Sequence, residues 1–472
     1  MQTNQKVGIA IFALLFVSIK LPAQTPAHEL PSAPIAQLIQ PLLLAAAQPS
    51  SNSAIPLPVT TGASPTLLTR QQAEKMALEN NPRIHISQLI AKVQHQAVRE
   101  RRADELPDLN GNLTAVEAND GSRISSGSLT ASRLLVHAGA GVQLSQLITD
   151  FGRTPNLVAS TKLQEKARLA DAEASREDIV LATDQVFYAV IEAQDTLKVA
   201  TQTVSTRQSL TDRVSALAAS KLKSDLDLSF AQVNLSQAKL LELNAQNSLD
   251  AAKAAFSAVL GYEKQVDIQL VDDTDSLPVL PPDANALITQ AIQNRPDLQS
   301  LRFNEQAAQK FSKAQHEQLL PTINALGVVG KTPVGSSQDF TTNWYGAVGG
   351  NVNVPIFNGF RFAAQASEAS LQAQAASEQT RALREQVARD VRTAWLNANT
   401  ALQRVTVTGE LLRQANSALD LAKTRYDLGL SSIVELSQAE LQQTEAAIGN
   451  ANAHAQYSFA ISTLNFQTGV QP

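Results

Sequence analysis

Residues 222–231 read Leu-Lys-Ser-Asp-Leu-Asp-Leu-Ser-Phe-Ala, and residues 430–439 read Leu-Ser-Ser-Ile-Val-Glu-Leu-Ser-Gln-Ala. Leucine, serine, an acid, leucine, serine and alanine recur in the same places 208 positions apart. The same offset separates Arg153 from Arg361 and Gly261 from Gly469. Earlier in each copy the offset is 214, where Asn80-Asn81-Pro82 through Leu106-Pro107 overlays Asn294-Arg295-Pro296 through Leu320-Pro321 without a gap. Offsets held over so many landmarks read as two tandem repeats, 65–272 and 273–472, with a period far too long for a solenoid.

Each half has the same internal order. A helical stretch, Arg70 to Glu105 or Ala284 to Leu319, ends at Pro107 or Pro321, where the missing amide and the restricted preceding residue stop a helix. The hydrophobic period then changes. From Leu134 to Leu144 the even positions are apolar (Leu134, Val136, Ala138, Ala140, Val142, Leu144), and Arg133, His137, Gln143 and Ser145 lie between them. In the second half Trp344, Val348, Val352, Val354 and Ile356 share one parity against Asn343, Asn351 and Asn353. Upstream strands are expected near Leu109 to Val116 and Ile323 to Val329, giving four strands per chain. Long helical text follows, from Thr154 to Lys221 and from Arg361 to Asp427, which at 1.5 Å per residue reaches roughly 100 Å. Returning helices are expected at Leu226 to Leu260 and Val434 to Thr468, and 263–283, with its aspartates and prolines, links the halves.

Composition narrows the function. Aromatic residues are 4% and charged residues 17% of the 472, too few aromatics for one compact aromatic core and better suited to long thin helical packing. A net charge of -5 offers no basic field for nucleic acid, so no nucleic-acid partner is expected. There is no cysteine, which excludes disulfides, thiolate metal sites, a cysteine nucleophile and a lipidated N-terminal cysteine. The six histidines never pair at i, i+4, and no Gly-rich phosphate loop occurs. The expectation is therefore no metal, no cofactor, no catalytic residue and no enzymatic activity.

The N-terminus carries Lys6, an apolar run from Val7 to Ile19, and Leu21-Pro22-Ala23, the layout of a secretory signal over 1–23 with cleavage after Ala23 or Ala27. Residues 24–64 are a Pro/Ala-rich flexible segment. Beyond residue 64 no run of 18 apolar residues occurs, so any membrane passage must be by strands. Four strands cannot close a barrel, and an open edge cannot face lipid. Three copies would supply twelve strands, an even number within the range of closed outer-membrane barrels. A secreted α-helical structural or adhesin-like stalk protein is the alternative; it accounts for the helices and leaves the duplicated strands unexplained.

The doubled layout, the Asn-x-Pro starts, the Leu-Pro stops, the turns Asp150-Phe151-Gly152-Arg153 and Phe357-Asn358-Gly359-Phe360-Arg361, and the run from Arg425-Tyr426 through Gly429 to Glu435 resemble the TolC-type outer-membrane efflux proteins over residues 65 to 472. The resemblance implies an α+β membrane protein, a homotrimer whose 12-stranded β-barrel in outer-membrane lipid continues as a long α-helical barrel through the periplasm. It implies a passive exit channel of a tripartite efflux or type I secretion system, docked to a periplasmic adaptor protein and an inner-membrane pump of the RND, ABC or MFS type.

By the same resemblance the turns at Lys221, Leu222 and Ser224 and at Gly429, Leu430 and Ser432 are periplasmic tips that receive the adaptor. Glu435 and Gln438 fall at the periplasmic aperture, and Asp227 and Tyr426 match a carboxylate and a tyrosine that link neighbouring hairpins. Pro107, Pro321, Gly152 and Gly359 mark helix–strand switches. Two positions depart from the family: Ser431 stands where some members carry a basic linking residue, and Lys221 replaces the glycine kept at Gly429. A plainer reading stands beside the aperture. Ser224-x-x-Asp227 is a near capping box and Ser432-x-x-Glu435 a full one, so helix starts alone account for both acids, and Gly429 suits a helix C-terminus.

Overall fold

The computed structural model describes residues 67–116, 123–124, 132–133, 137–264, 269–271, 277–331 and 344–470. The first half contains β1 (Leu67–Leu68), α1 (Arg70–Asn80), α2 (Pro82–Ala103), β2 (Asp108–Val116), β3 (Arg123–Ile124), β4 (Ser132–Arg133), β5 (His137–Thr149), α3 (Arg153–Ala219) and α4 (Asp225–Val259). Then come β6 (Gln269–Leu270), α5 (Ala284–Asn294), α6 (Pro296–Glu317), β7 (Thr322–Lys331), β8 (Trp344–Asn353), α7 (Arg361–Asp427) and α8 (Ile433–Thr468). The expected signal segment, the segment 24–64, Leu134, Val136 and the linker residues Asp272, Asp273 and Asp275 lie outside the described residues.

The helical stretches expected as single helices from Arg70 and Ala284 are each two helices. Asn81 and Arg295, each just before a proline, take extended ψ values of 122° and 123°. A proline ring clashes with a helical residue ahead of it, so the prolines at 82 and 296 end one helix and open the next. The Asn81 side chain caps the new helix by accepting from the Arg83 amide at 2.9 Å.

The strands form an antiparallel sheet of order β2-β5-β7-β8. Opposed residues share a face and successive residues alternate, so the registers Leu109↔Leu144↔Gly327↔Val348 and Gly111↔Val142↔Val329↔Gly346 sort the side chains. One face carries Leu109, Leu113, Val142, Leu144, Val329, Trp344, Val348 and Val352; the other carries Asn110, Asn112, Gln143, Ser145, Asn324, Asn351 and Asn353. The apolar face is uncovered, with Leu113 89% and Val348 93% exposed. On the polar face Tyr345 lies across Gly330 and Gly141, where a Cβ would have no room.

Two expectations about the strands are corrected. β5 runs on to Thr149 through an irregularity at Ile148, and β8 ends at Asn353, which leaves Val354 and Ile356 outside the strand. Pro355 lacks a ladder donor, which accounts for the stop. Two short ladders also occur that nothing in the sequence announced, β1 with β6 in parallel and β3 with β4.

Helices α3 and α7 are 67 residues each, about 100 Å at helical rise. Each pairs with its return helix, α4 or α8; α3 also packs against α1, α2, α6 and α8. Burial is strung along these contacts in separate clusters. Fully buried alanines such as Ala73, Ala77, Ala200 and Ala398 bring backbones close. The scarce aromatics act as pins. Phe187 meets Tyr188 edge to face at 5.5 Å, Trp395 Nε1 donates to the Pro281 carbonyl at 2.8 Å, and Tyr457 Oη donates to the Pro278 carbonyl at 2.5 Å. The latter two fasten the end of the linker to α7 and α8.

Candidate functional site at the hairpin tips

The tips are the turns 220–224, between α3 and α4, and 428–432, between α7 and α8. Both helices end in the same Schellman arrangement. The Leu222 amide donates to the Leu217 carbonyl at 2.9 Å and the Lys221 amide to Ala218 at 2.8 Å; in the second turn Leu430 donates to Arg425 at 2.8 Å and Gly429 to Tyr426 at 3.0 Å. This arrangement requires a left-handed residue after the helix. Gly429 fills it at φ 72° without steric cost, whereas Lys221 is held at φ 60° against a Cβ clash. Lys221, Leu222, Ser224, Gly429, Leu430 and Ser432 are all exposed.

The two helix starts differ in the reverse sense to the sequence pattern. At Ser224 both arms of the capping box close: Ser224 Oγ accepts from the Asp227 amide at 3.1 Å, and an Asp227 carboxylate oxygen accepts from the Ser224 amide at 3.3 Å. At Ser432 only the hydroxyl arm forms, accepting from the Glu435 amide at 3.4 Å. The Glu435 carboxylate is instead taken by Arg425, whose Nε donates at 3.0 Å across the turn. Arg425 and Glu435 are the third residue from the end of one helix and the third of the next, so the Schellman turn places them side by side. That geometry, rather than any motif, was the available signal for Arg425. Glu435 and Gln438 lie one turn apart on the exposed side of α8, while Ile433, Leu436 and Ala439 on its other side join Val214, Ala231, Ala422 and Tyr426 in a buried cluster.

Tyr426 is 4% exposed and brings the two hairpins together. The Lys223 ammonium of the first turn sits 4.0 Å from the centre of its ring. Burial pushes the phenol pKa up, and the nearby Asp227 and Asp427 carboxylates push it further. Tyr426 and Asp227 are thus neighbours, but no hydrogen bond joins them: the tyrosine hydroxyl has no partner and the carboxylate serves its cap. Ser431 Oγ, at the departure from the family pattern, is likewise buried without a partner.

At the far ends of the long helices lie the switches. Pro107 and Pro321 each sit immediately before a strand, β2 and β7. Phe151 and Gly152, and Gly359 and Phe360, all take positive φ where strand turns into α3 and α7. Asp150 steadies the first turn, accepting from the Thr154 amide at 2.7 Å. Asn156 of α3 donates to both carboxylate oxygens of Glu317, at the end of α6, at 2.9 and 3.0 Å, a tie between the halves that the sequence did not reveal.

With this arrangement in view, the sequence profile of the outer membrane efflux protein family matches residues 74–262 and 287–470. The chain belongs to that family. It is similar to outer membrane protein TolC of Escherichia coli, 23% identical over 419 residues that cover 84% of this chain and 81% of TolC. A crystal structure of CusC superposes with a TM-score of 0.75 at 19% identity, covering 89% of this chain and 99% of the other. The open state of the Neisseria gonorrhoeae outer membrane channel MtrE superposes with a TM-score of 0.72 at 19% identity, covering 85% and 89%. The fold is that of these outer-membrane channels. This outer membrane efflux protein is an outer-membrane exit channel with its helical tunnel in the periplasm. The alternative of a secreted stalk is set aside by the family match over both halves.

Proposed function

We propose that three copies of the chain close a 12-stranded barrel and a continuous helical tunnel, forming the passive exit duct of a tripartite efflux or type I secretion system. The observation that carries this is the open sheet β2-β5-β7-β8, whose edge strands β2 and β8 are unpaired and whose one face is uncovered and apolar. An unpaired edge in hydrocarbon leaves backbone groups unsatisfied, so β8 of one copy must meet β2 of the next. Three copies are what the family resemblance implies. Two repeats, 65–272 and 273–472, then supply two strands and one long hairpin each; the element order and the matching tip turns support this division.

In this reading the apolar sheet face meets lipid and the asparagine-rich face lines the pore. Glu435 and Gln438 border the periplasmic aperture, and hairpins separate there to open it, with Asp227 and Tyr426 at the seam between them. The exposed tips around Lys221, Leu222, Ser224, Gly429, Leu430 and Ser432 receive a periplasmic adaptor protein, and an inner-membrane pump supplies energy and selects cargo. The duct itself catalyses nothing. Mass measurement in mild detergent and conductance in a planar bilayer test the proposal together: a trimer that forms discrete pores and does not hydrolyse ATP is expected, and a soluble monomer would overturn it.

A further inference from the structure

About 21 Å up α3 from the Lys221 turn, at 1.5 Å per residue, α3 and α8 pack across the seam between the two hairpins. Arg207 of α3 and Glu440 of α8 face each other there, 6% and 7% exposed. Arg207 Nη1 donates to the Asn234 carbonyl of α4 at 2.9 Å, but its Nε stops 3.8 Å from Glu440 Oε2, and neither of these two atoms has a hydrogen-bond partner among the described residues. Of the neutral neighbours, Asn234 Nδ2 donates to Ser437 Oγ at 2.6 Å, and the Thr203 and Thr444 hydroxyls each donate within their own helix, to the Val199 and Glu440 carbonyls at 2.8 and 2.9 Å. Beside the pair lies a groove of about 550 Å³ to which Lys198, Gln202, Leu419 and Gln443 contribute, roomy enough to hold water next to the buried atoms.

Two charges withdrawn from water recover the loss only if their mutual hydrogen bond closes well, and this one does not. We propose that Arg207 and Glu440 form a built-in weak joint in the hairpin seam, a charge pair that gains hydration when α8 moves away from α3 and so eases separation of the hairpins above the mouth. Both are positioning residues: neither reaches the aperture. The inference rests on the reading that the hairpins separate to open the duct. Burial pushes the Glu440 pKa up despite the attraction of Arg207 and Lys423, and pushes that of Arg207 down despite Glu440, as expected where lost solvation outweighs the pair.

The test is amide hydrogen exchange along α3 near Arg207 and α8 near Glu440, on the assembled protein in detergent. Arg207→Met with Glu440→Leu replaces the pair by apolar side chains of similar volume, and exchange there should slow about tenfold or more. Unchanged or faster exchange would overturn the joint. If that double variant does not assemble, the unaltered protein answers through pH. The charged groups acting on Glu440 are Arg207 from α3 and Lys423 from α7; α4 presents the neutral Asn234, and Asp195 and Lys198 of α3 line the same groove. Because the packed-state pKa lies above the ordinary carboxylate value, packing gains stability as pH falls through the raised pKa and loses it as pH rises past it. Exchange corrected for its intrinsic pH dependence should therefore slow on acidification, and Glu440→Gln should abolish that response; acceleration on acidification would overturn the joint. Conductance of the double variant separates the two readings. A fall below that of the unaltered channel is expected, and slowed exchange with unchanged conductance would uphold the joint and defeat the reading of the mouth on which its role depends.

Discussion

Arg425 donates to Glu435 at 3.0 Å between half-exposed side chains, so that carboxylate is free of the helix cap and carries its charge on the exposed side of α8. An ion pair so open to solvent is worth about 0.5 kcal/mol, and the Ser432 hydroxyl keeps the cap whatever residue stands at 435, because it binds the backbone amide. Glu435→Gln should therefore leave thermal stability within about 0.5 kcal/mol while lowering the preference for cations in single-channel recordings, and Arg425→Ala should raise that preference. Unaltered selectivity in both variants would remove Glu435 from the aperture. The Lys221 turn offers an independent check. Lys221→Gly relieves a left-handed non-glycine residue, so unfolding should become harder by about 1 kcal/mol, while Gly429→Ala should cost a similar amount in the equivalent turn. Equal stabilities would show that the tip turns relax without strain.

At the level of elements, the parity of the strands is legible in the sequence, since Val142, Leu144 and Val352 alternate with Gln143, Ser145, Asn351 and Asn353. The long helices are legible to within a residue or two from their Ala, Leu, Gln and Ser content and the lack of internal proline beyond Pro155. What could not be read was anything set by a second element. The partner of Val142 is Val329, 187 positions away, fixed by β5 pairing with β7, and no local pattern encodes that choice. The break at Asn81 is legible in Pro82, which bars a helical residue ahead of it and so ends one helix as it opens the next. Arg207 was invisible, as it acquires its partner only from helix packing, whereas Arg425 meets Glu435 through the turn between α7 and α8. The registers make the parity testable. A lysine or arginine at Val142 or Val348 should cost about 2–4 kcal/mol of insertion free energy if that face meets the hydrocarbon midplane. The same change at Gln143 or Asn351 should be tolerated, as judged by recovery of folded protein in outer-membrane fractions. Sensitivity on the Gln143 face and tolerance on the Val142 face would reverse the assignment of lipid and pore.

For the whole molecule, the sheet order constrains the proposed assembly. The edge strands are β2 and β8, two different strands, so in that assembly each copy offers one edge and accepts the other. Such a contact is heterologous: it cannot close as a two-fold pair of like surfaces, and it either rings or runs on as a filament. Strand tilt in a closed barrel fixes how many strands satisfy the curvature, and twelve falls within the observed series. The chain contains no cysteine, so introduced thiols report without background. Single cysteines placed along β2 and β8 of one chain should oxidise only in β2-to-β8 pairs between copies, and the products in denaturing gels should be the monomer, the linked dimer and the linked trimer, with nothing larger. Pairs of β2 with β2 would mean a two-fold contact and an unclosed barrel. A ladder continuing past the trimer would mean that the ring contains more than three copies or does not close.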